Sequence, residues 1–250
     1  MRTKFGIASI AVLAIAILTW IMRPSATQKT SESPNITHIV LIGASIGQGW
    51  HLAEWPNRAK VNGFTAESIP AWQFDKTEAV DEVLMRPRRK FRPTRTYLKL
   101  LFQPPPPPAG VVILKECSSY FPGDLVAYEK SIRNWAARLR GKRIMVALAT
   151  VVPVTEVRAQ QNPGKQESLL RYNAWVRQYA QQQGIILLDL ESALRTDDSG
   201  HFLRQKYAAS DGTHLNATAY EALDNLLRET LLSGKSLFAI RSGRTVRHEN

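Results

Sequence analysis

The chain has 250 residues, a length that suits one or two domains, with 33 Lys plus Arg against 21 Asp plus Glu and a net charge of +12. Hydrophobic residues at 44% and charged residues at 22% are ordinary for a packed fold and exclude a chain disordered throughout. A single cysteine, Cys117, excludes an internal disulfide framework and any cysteine-rich metal site, and a single membrane-length apolar run excludes a multi-span transporter.

The first element in chain order is that apolar run. Phe5 to Met22 carries no charge and follows Arg2 and Lys4. As a helix of 18 residues it spans about 27 Å, enough for a bilayer core. It reads as an uncleaved N-terminal anchor, with a cleaved signal as the alternative; cleavage after Ala26 would put Pro24 at the −3 position, a poor match. Both readings place the rest of the chain outside the cytoplasm. Residues 23–37 are polar and read as a tether. Residues 38–232 read as the folded domain, and residues 233–250 as a basic, disordered tail.

Within the domain, short apolar runs alternate with helical periods. His38–Ile42 reads as a strand, and Asp75–Arg86 as a helix with Asp75 as N-cap and Glu78 completing a capping box. Val111–Leu114 reads as a buried strand. Leu125, Tyr128, Ile132, Trp135 and Leu139 form the apolar stripe of an amphipathic helix that Gly141 ends. Ile144–Val152 is a strand, Glu167–Gln183 a helix ended by Gly184, Ile185–Leu190 a strand and Ala217–Leu232 the last helix. Strands alternating with helices predict an α/β fold, a parallel sheet covered on both faces.

Two segments break the pattern. From Arg86 to Lys99 there are seven basic residues and no acid, and together with the tail from Lys235 this stretch supplies ten of the twelve excess positive charges. A solvated loop is the default reading, and contact with anionic lipid headgroups or an acidic polymer the alternative; export argues against nucleic acid as a partner. Pro104–Pro108 reads as a stiff spacer.

Active groups in a parallel α/β sheet collect at the carboxyl ends of the strands. Ser45 stands there, in Gly43-Ala44-Ser45-Ile46-Gly47, close to where a helix N-terminus would offer free N–H groups to a developing oxyanion. Asp211-Gly212-Thr213-His214-Leu215-Asn216 precedes the last helix. A serine hydroxyl needs a base, histidine suits that near neutral pH, and the base needs an acid to orient it. The plainer reading of this loop is that Asp211 or Asn216 caps the last helix and His214 lies on the surface.

A serine in the first strand–helix turn and Asp-x-x-His in the last loop resemble the SGNH (GDSL-type) hydrolase family. GASIG matches its first block with Ala44 in the aspartate's place, and DGTHLN matches its last block. The resemblance covers about residues 38–232 and implies a flavodoxin-like three-layer sandwich around a central parallel sheet. It implies an ester hydrolase with Ser45 as nucleophile, His214 as general base and then acid, and Asp211 as its orienting partner, and it calls for no metal or organic cofactor. The second and third blocks depart from the pattern. Gly63 is the nearest glycine to the second block, and Ser118, or Cys117 in a shifted alignment, stands where the third block has asparagine. The oxyanion-hole candidates are therefore Ser45, Gly63 and Ser118.

Lys115 and Glu116 at the end of a buried strand are candidates for substrate positioning, or else a charge pair with each other or with neighbours. Cys117 reads as structural, since no second histidine is placed to activate it. Trp50, Trp55 and Trp72 either line the cleft or belong to the core. The expectation is a membrane-tethered, extracytoplasmic (periplasmic) esterase acting on an acylated glycan or lipid. The alternatives are an envelope O-acyltransferase with the same triad and a catalytically weak binding protein.

Overall fold

The computed structural model describes residues 37–86 and 106–232. The anchor, nearly all of the tether, the basic stretch from residue 87, the first two prolines of the Pro104–Pro108 run and the tail lie outside these residues. Among the described residues, no helix is long and apolar enough to cross a membrane.

Five strands form one parallel sheet: β1 (Thr37–Gly43), β2 (Phe64–Pro70), β3 (Val111–Lys115), β4 (Met145–Ala149) and β5 (Ile186–Leu188). Their order across the sheet is β2-β1-β3-β4-β5. β1 is apolar on both faces because both are covered: Val40 and Ile42 point to one side, Ile39 and Leu41 to the other, and all four are fully buried.

On the first face lie α3 (Thr77–Met85), α4 (Leu125–Gly141) and α6 (Pro163–Gln183), which contribute Val80 and Val83, Ile132, Trp135 and Leu139, and Leu169, Tyr172 and Val176. On the second face lie the short α1 (Ser45–Gly49) and α2 (Trp55–Arg58), then α7 (Leu190–Leu194) and α8 (Ala217–Leu232). The stripe Ala219, Leu223, Leu227, Leu231 recurs every fourth residue, so one side of α8 is buried along its length. A further short helix, α5 (Glu156–Gln160), follows β4. The architecture is the expected three-layer α/β sandwich.

The differences from the sequence reading are local. β2 was not expected; it is an edge strand, only partly buried, with no clean alternation to betray it. α3 begins at Thr77, and the Asp75 carboxylate accepts from the Thr77 N–H at 2.9 Å in place of a full capping box. α6 starts at Pro163, four residues before the expected Glu167, because Asn162 caps it by accepting from the Lys165 N–H and Pro163 opens its first turn. Arg86, the first residue of the basic stretch, is buried and paired with Glu67 and Glu82. Trp50 and Trp55 are core residues, whereas Trp72 is 64% exposed.

Candidate active site

In a sheet of order 2-1-3-4-5 the crevice opens at the carboxyl ends of β1 and β3, where connections leave in opposite directions. Two sequence candidates meet that edge. Ser45 is the first residue of α1, directly beyond β1, so its N–H has no acceptor within the helix. Gly47 lets α1 lie on β1: a Cβ there would run into Leu41. Beyond β3 come Glu116, Cys117 and a turn of 3-10 helix over Ser118–Tyr120. The Ser118 hydroxyl belongs to a residue 2% exposed and has no partner among the described residues.

The third piece is the loop before α8. The Asp211 Oδ1 atom accepts from the N–H groups of Thr213 and His214, both at 2.9 Å, and Oδ2 bonds His214 Nδ1 at 2.5 Å. The His214 ring and these two N–H groups hold the Asp211 carboxyl far below the usual carboxylate range. The imidazole is thereby oriented through Nδ1, and its Nε2 has no partner among the described residues. Gly212, at φ +69°, makes the tight turn, and its carbonyl accepts from the Thr155 N–H at 3.0 Å. Asn216 is the helix cap: Oδ1 accepts from the Ala219 N–H while Nδ2 donates to the Lys206 and Ala208 carbonyls. Asp211 is thus free of capping and pairs with His214.

No hydrogen bond joins Ser45 to His214 in this structure. What ties their elements together lies deeper. The Asp224 carboxylate on α8 accepts from Trp50 Nε1 at 2.7 Å and from Arg58 Nε and NH2 at 2.7 and 3.0 Å, and its carbonyl accepts from Trp55 Nε1. Tyr220 packs so close to Gly49 that a Cβ there would collide with its hydroxyl. The helix carrying Ser45 and the helix following His214 are clamped to each other. The sequence reading missed Asp224, although an acid on the leucine stripe of α8 is itself a signal that a buried partner exists. It also missed Gln48, one turn beyond Ser45, whose Nε2 is buried without a partner.

The remaining candidates need correction. Gly63 precedes β2 and pairs with Thr37 at the amino end of β1, whereas Ser45 follows the carboxyl end. Six strand steps, about 20 Å, separate them, so Gly63 contributes nothing to this edge. Lys115 and Glu116 do not face an open cleft: they are 1% and 0% exposed. Glu116 forms a buried ion pair with Lys76, whose ammonium sits between the rings of Phe74 and Tyr120 at 5.5 and 5.3 Å. Lys115 donates to the Glu116 carbonyl at 2.9 Å. Burial pulls the Lys115 ammonium down to about 8, with Cys117 and Glu116 opposing and Lys76 adding. Burial works against the Cys117 thiolate too, but Lys115 and the hydroxyls of Ser119 and Ser45 outweigh it and draw the thiol below its ordinary value. Ser45 therefore lies beside Cys117, whose thiol feels the charge of the buried Lys115 ammonium. No cluster of His, Cys, Asp or Glu suited to a metal occurs among the described residues.

Residues 90–222 match the model of the GDSL-like lipase/acylhydrolase family. The chain belongs to that family. The match spans β3 to the start of α8 and so includes Asp211 and His214, and it begins after Ser45. Family membership makes the chain a hydrolase of ester bonds. Solved structures of the same fold include a GDSL-like lipase from Bacteroides thetaiotaomicron, with a TM-score of 0.55 and 17% identity over 78% of this chain and 87% of that one. They also include a member of the lipolytic G-D-S-L family from Veillonella parvula, with a TM-score of 0.53 and 12% identity over 77% and 97% of the two chains. A lipase/acylhydrolase from Enterococcus faecalis has a TM-score of 0.51 and 15% identity over 78% and 95%. No curated protein matches the chain in sequence.

Proposed function

We propose that this GDSL-like hydrolase is a serine esterase in which Ser45 is the nucleophile, His214 the general base and then acid, and Asp211 the residue that orients it. The observation that carries the reading is the Asp211–His214 pair: a carboxylate held ionised on Nδ1, leaving Nε2 without a partner, on a loop whose following helix is clamped to the helix that Ser45 begins. Hydrogen bonds between nucleophile and base are often long in unliganded sites and tighten when substrate binds.

In this reading Ser45 Oγ attacks the ester carbonyl carbon as His214 Nε2 takes its proton. The tetrahedral oxyanion is met by the Ser45 N–H and the unpartnered Ser118 hydroxyl, with the charge of the buried Lys115 ammonium adding to them. The bond to the alcohol oxygen breaks, and that oxygen leaves with the proton from His214. Water then attacks the acyl carbon, giving a proton to His214 Nε2; the bond from that carbon to Ser45 Oγ breaks, His214 returns the proton to Oγ, and the acid departs. Each hydrogen-bond donor aimed at the oxyanion is worth about 100–1000-fold in rate. The charge-free Phe5–Met22 run behind Arg2 and Lys4 supports a domain tethered outside the cytoplasm, where acylated envelope glycans and lipids are the available esters. Protease accessibility in intact and opened cells tests that location.

The decisive experiment for the chemistry is labelling with a fluorophosphonate probe, read by peptide mass, alongside turnover of p-nitrophenyl acetate. Ser45 takes up the label; Ser45→Ala and His214→Ala do not, and both lose turnover. An unlabelled Ser45 in folded protein, or equal turnover in Ser45→Ala, refutes the esterase reading and leaves a binding protein on this fold.

A further inference from the structure

A cavity of about 270 Å³ opens beside the candidate site, between α5 and the start of α6, lined by Val154, Arg158, Asn162, Lys165 and Gln166 among others. Its polar inventory is unusual. Gln166 is 7% exposed, its Nε2 is committed to the Gly200 carbonyl at 3.1 Å, and its Oε1 is buried with no partner. Lys165 has no acidic partner among the described residues, and burial holds its ammonium below the ordinary value, Cys117 opposing and Arg158 adding. Arg158 bonds Gln161 at 2.6 Å through one guanidinium nitrogen and makes no salt bridge among the described residues. Two cationic residues without acidic partners and a glutamine with a buried, donorless oxygen line one space.

The cavity adjoins the loop that carries His214. The Arg158 Cβ lies 3.6 Å from where a Cβ on Gly212 would stand, and Gly212 is two residues before His214. Thr155, which donates to the Gly212 carbonyl, immediately precedes α5. The Lys165 ammonium also feels the charge of Cys117, which lies beside Ser45.

We infer that this cavity binds the alcohol part of the ester, and that this part carries a carboxylate or phosphate with a neighbouring hydroxyl. The inference rests on the esterase reading for its orientation: the group protonated by His214 is the leaving alcohol, so the pocket on the His214 side receives it. The anion pairs with Lys165 and Arg158, and the hydroxyl donates to Gln166 Oε1. A neutral alcohol leaves two cations unpaired, and an anion without a hydroxyl leaves the buried amide oxygen orphaned, a cost that makes hydrogen-bonding pockets selective.

Two measurements test this. The first is calorimetric titration of the full chain carrying Ser45→Ala with glycerol 3-phosphate, glucuronate, and their neutral counterparts glycerol and glucose. At least one anionic polyol binds, the neutral ones bind at least 10-fold more weakly, and Lys165→Met and Gln166→Met each weaken the anionic ligand by about 10-fold. Preference between the two anions assigns phosphate or carboxylate. The second is kcat/KM for the acetyl esters of the same four alcohols: the ratio of anionic to neutral ester falls about 10-fold in Lys165→Met, mainly through KM, while the exposed Lys142→Met changes neither. Titration does not depend on turnover, so failure of the esterase reading alone leaves selective binding intact. Equal binding of anionic and neutral polyols, binding of neither, or unaltered affinity in folded Lys165→Met overturns the inference.

Discussion

Asp224 is the residue whose loss separates a clamp from a mere contact. It is 8% exposed, and its carboxylate accepts from a Trp50 indole that is 1% exposed and from an Arg58 side chain that is about one-third exposed. In Asp224→Ala the Trp50 N–H loses its acceptor in a dry environment, at a cost of about 1–3 kcal/mol. The Arg58 pair is partly screened by solvent, and Arg58 keeps its bonds to the His51 and Trp50 carbonyls, so that loss adds about 0.5–1 kcal/mol. The Trp55 bond goes to the backbone carbonyl and survives. The expected total is about 2–4 kcal/mol. Urea unfolding of the full chain measures it as a lower midpoint at unchanged slope. Trp50→Phe removes the orphaned donor itself, so the double variant costs about 1–2 kcal/mol less than the two single changes summed. A coupling below about 0.3 kcal/mol, or a destabilisation by Asp224→Ala below about 0.5 kcal/mol, refutes the argument that this carboxylate joins α8 to the Ser45 side of the sheet.

Three further outcomes follow from the same structure. Lys115 holds its proton less tightly folded, at about 8, than unfolded, at 10.5, so the burial penalty is fully present below about pH 8 and is relieved as pH rises from there towards 10.5. Lys115→Met is therefore more stable than the parent by about 1–3 kcal/mol at pH 7, and the gap narrows by pH 9.5, below the range where the buried tyrosines Tyr120, Tyr172 and Tyr220 act in the opposite sense; thermal unfolding at the two pH values checks it. Asn173→Ala strips both bonds from the Val151 backbone and one from Glu191 in a fully buried place, and destabilises by about 2–4 kcal/mol in urea. Asp211→Asn leaves the loop's backbone bonds available but withdraws the carboxylate from His214 Nδ1, and lowers kcat for p-nitrophenyl acetate by about 100–10,000-fold with the fold intact by circular dichroism.

How far the sequence could be read depended on how much of an element's burial is written in its own residues. β1, β3 and β4 announce themselves because both faces are covered, so their central positions are apolar without interruption. α4 and α8 announce themselves through a stripe. β2 does not, because an edge strand that buries only Ala66 and Ile69, with the other five positions exposed or half-exposed, reads like a loop. The start of α6 hides behind Asn162 and Pro163, a capping signal that carries no apolar period. Trp50 and Trp55 were readable as core or cleft alike, since an indole states its size but not which neighbour takes its N–H.

The site divides along the same line. Ser45 and the Asp211–His214 loop are local patterns, each complete within six residues; Ser45 lies at the junction of β1 and α1, and the loop directly precedes α8. The charges at the end of β3 are not local. Lys115 and Glu116 read as substrate contacts as long as no partner is visible, yet the partner of Glu116 is Lys76, forty residues away and stacked between two aromatic rings. Once that pair is recognised, the remaining buried ammonium, Lys115, has no carboxylate bonded to it: it donates to a carbonyl, and the charges of Cys117 and of the already paired Glu116 only partly offset its burial. A buried ammonium next to the Cys117 thiol is costly to the fold and, in the esterase reading, favourable to an oxyanion formed at Ser45, and the two effects share one origin: the same low dielectric that depresses the lysine strengthens its pull on a developing negative charge. Lys115→Met should therefore move stability and turnover in opposite directions, gaining the first while losing the second. A variant that gains stability at full kcat would show that the ammonium is merely tolerated there.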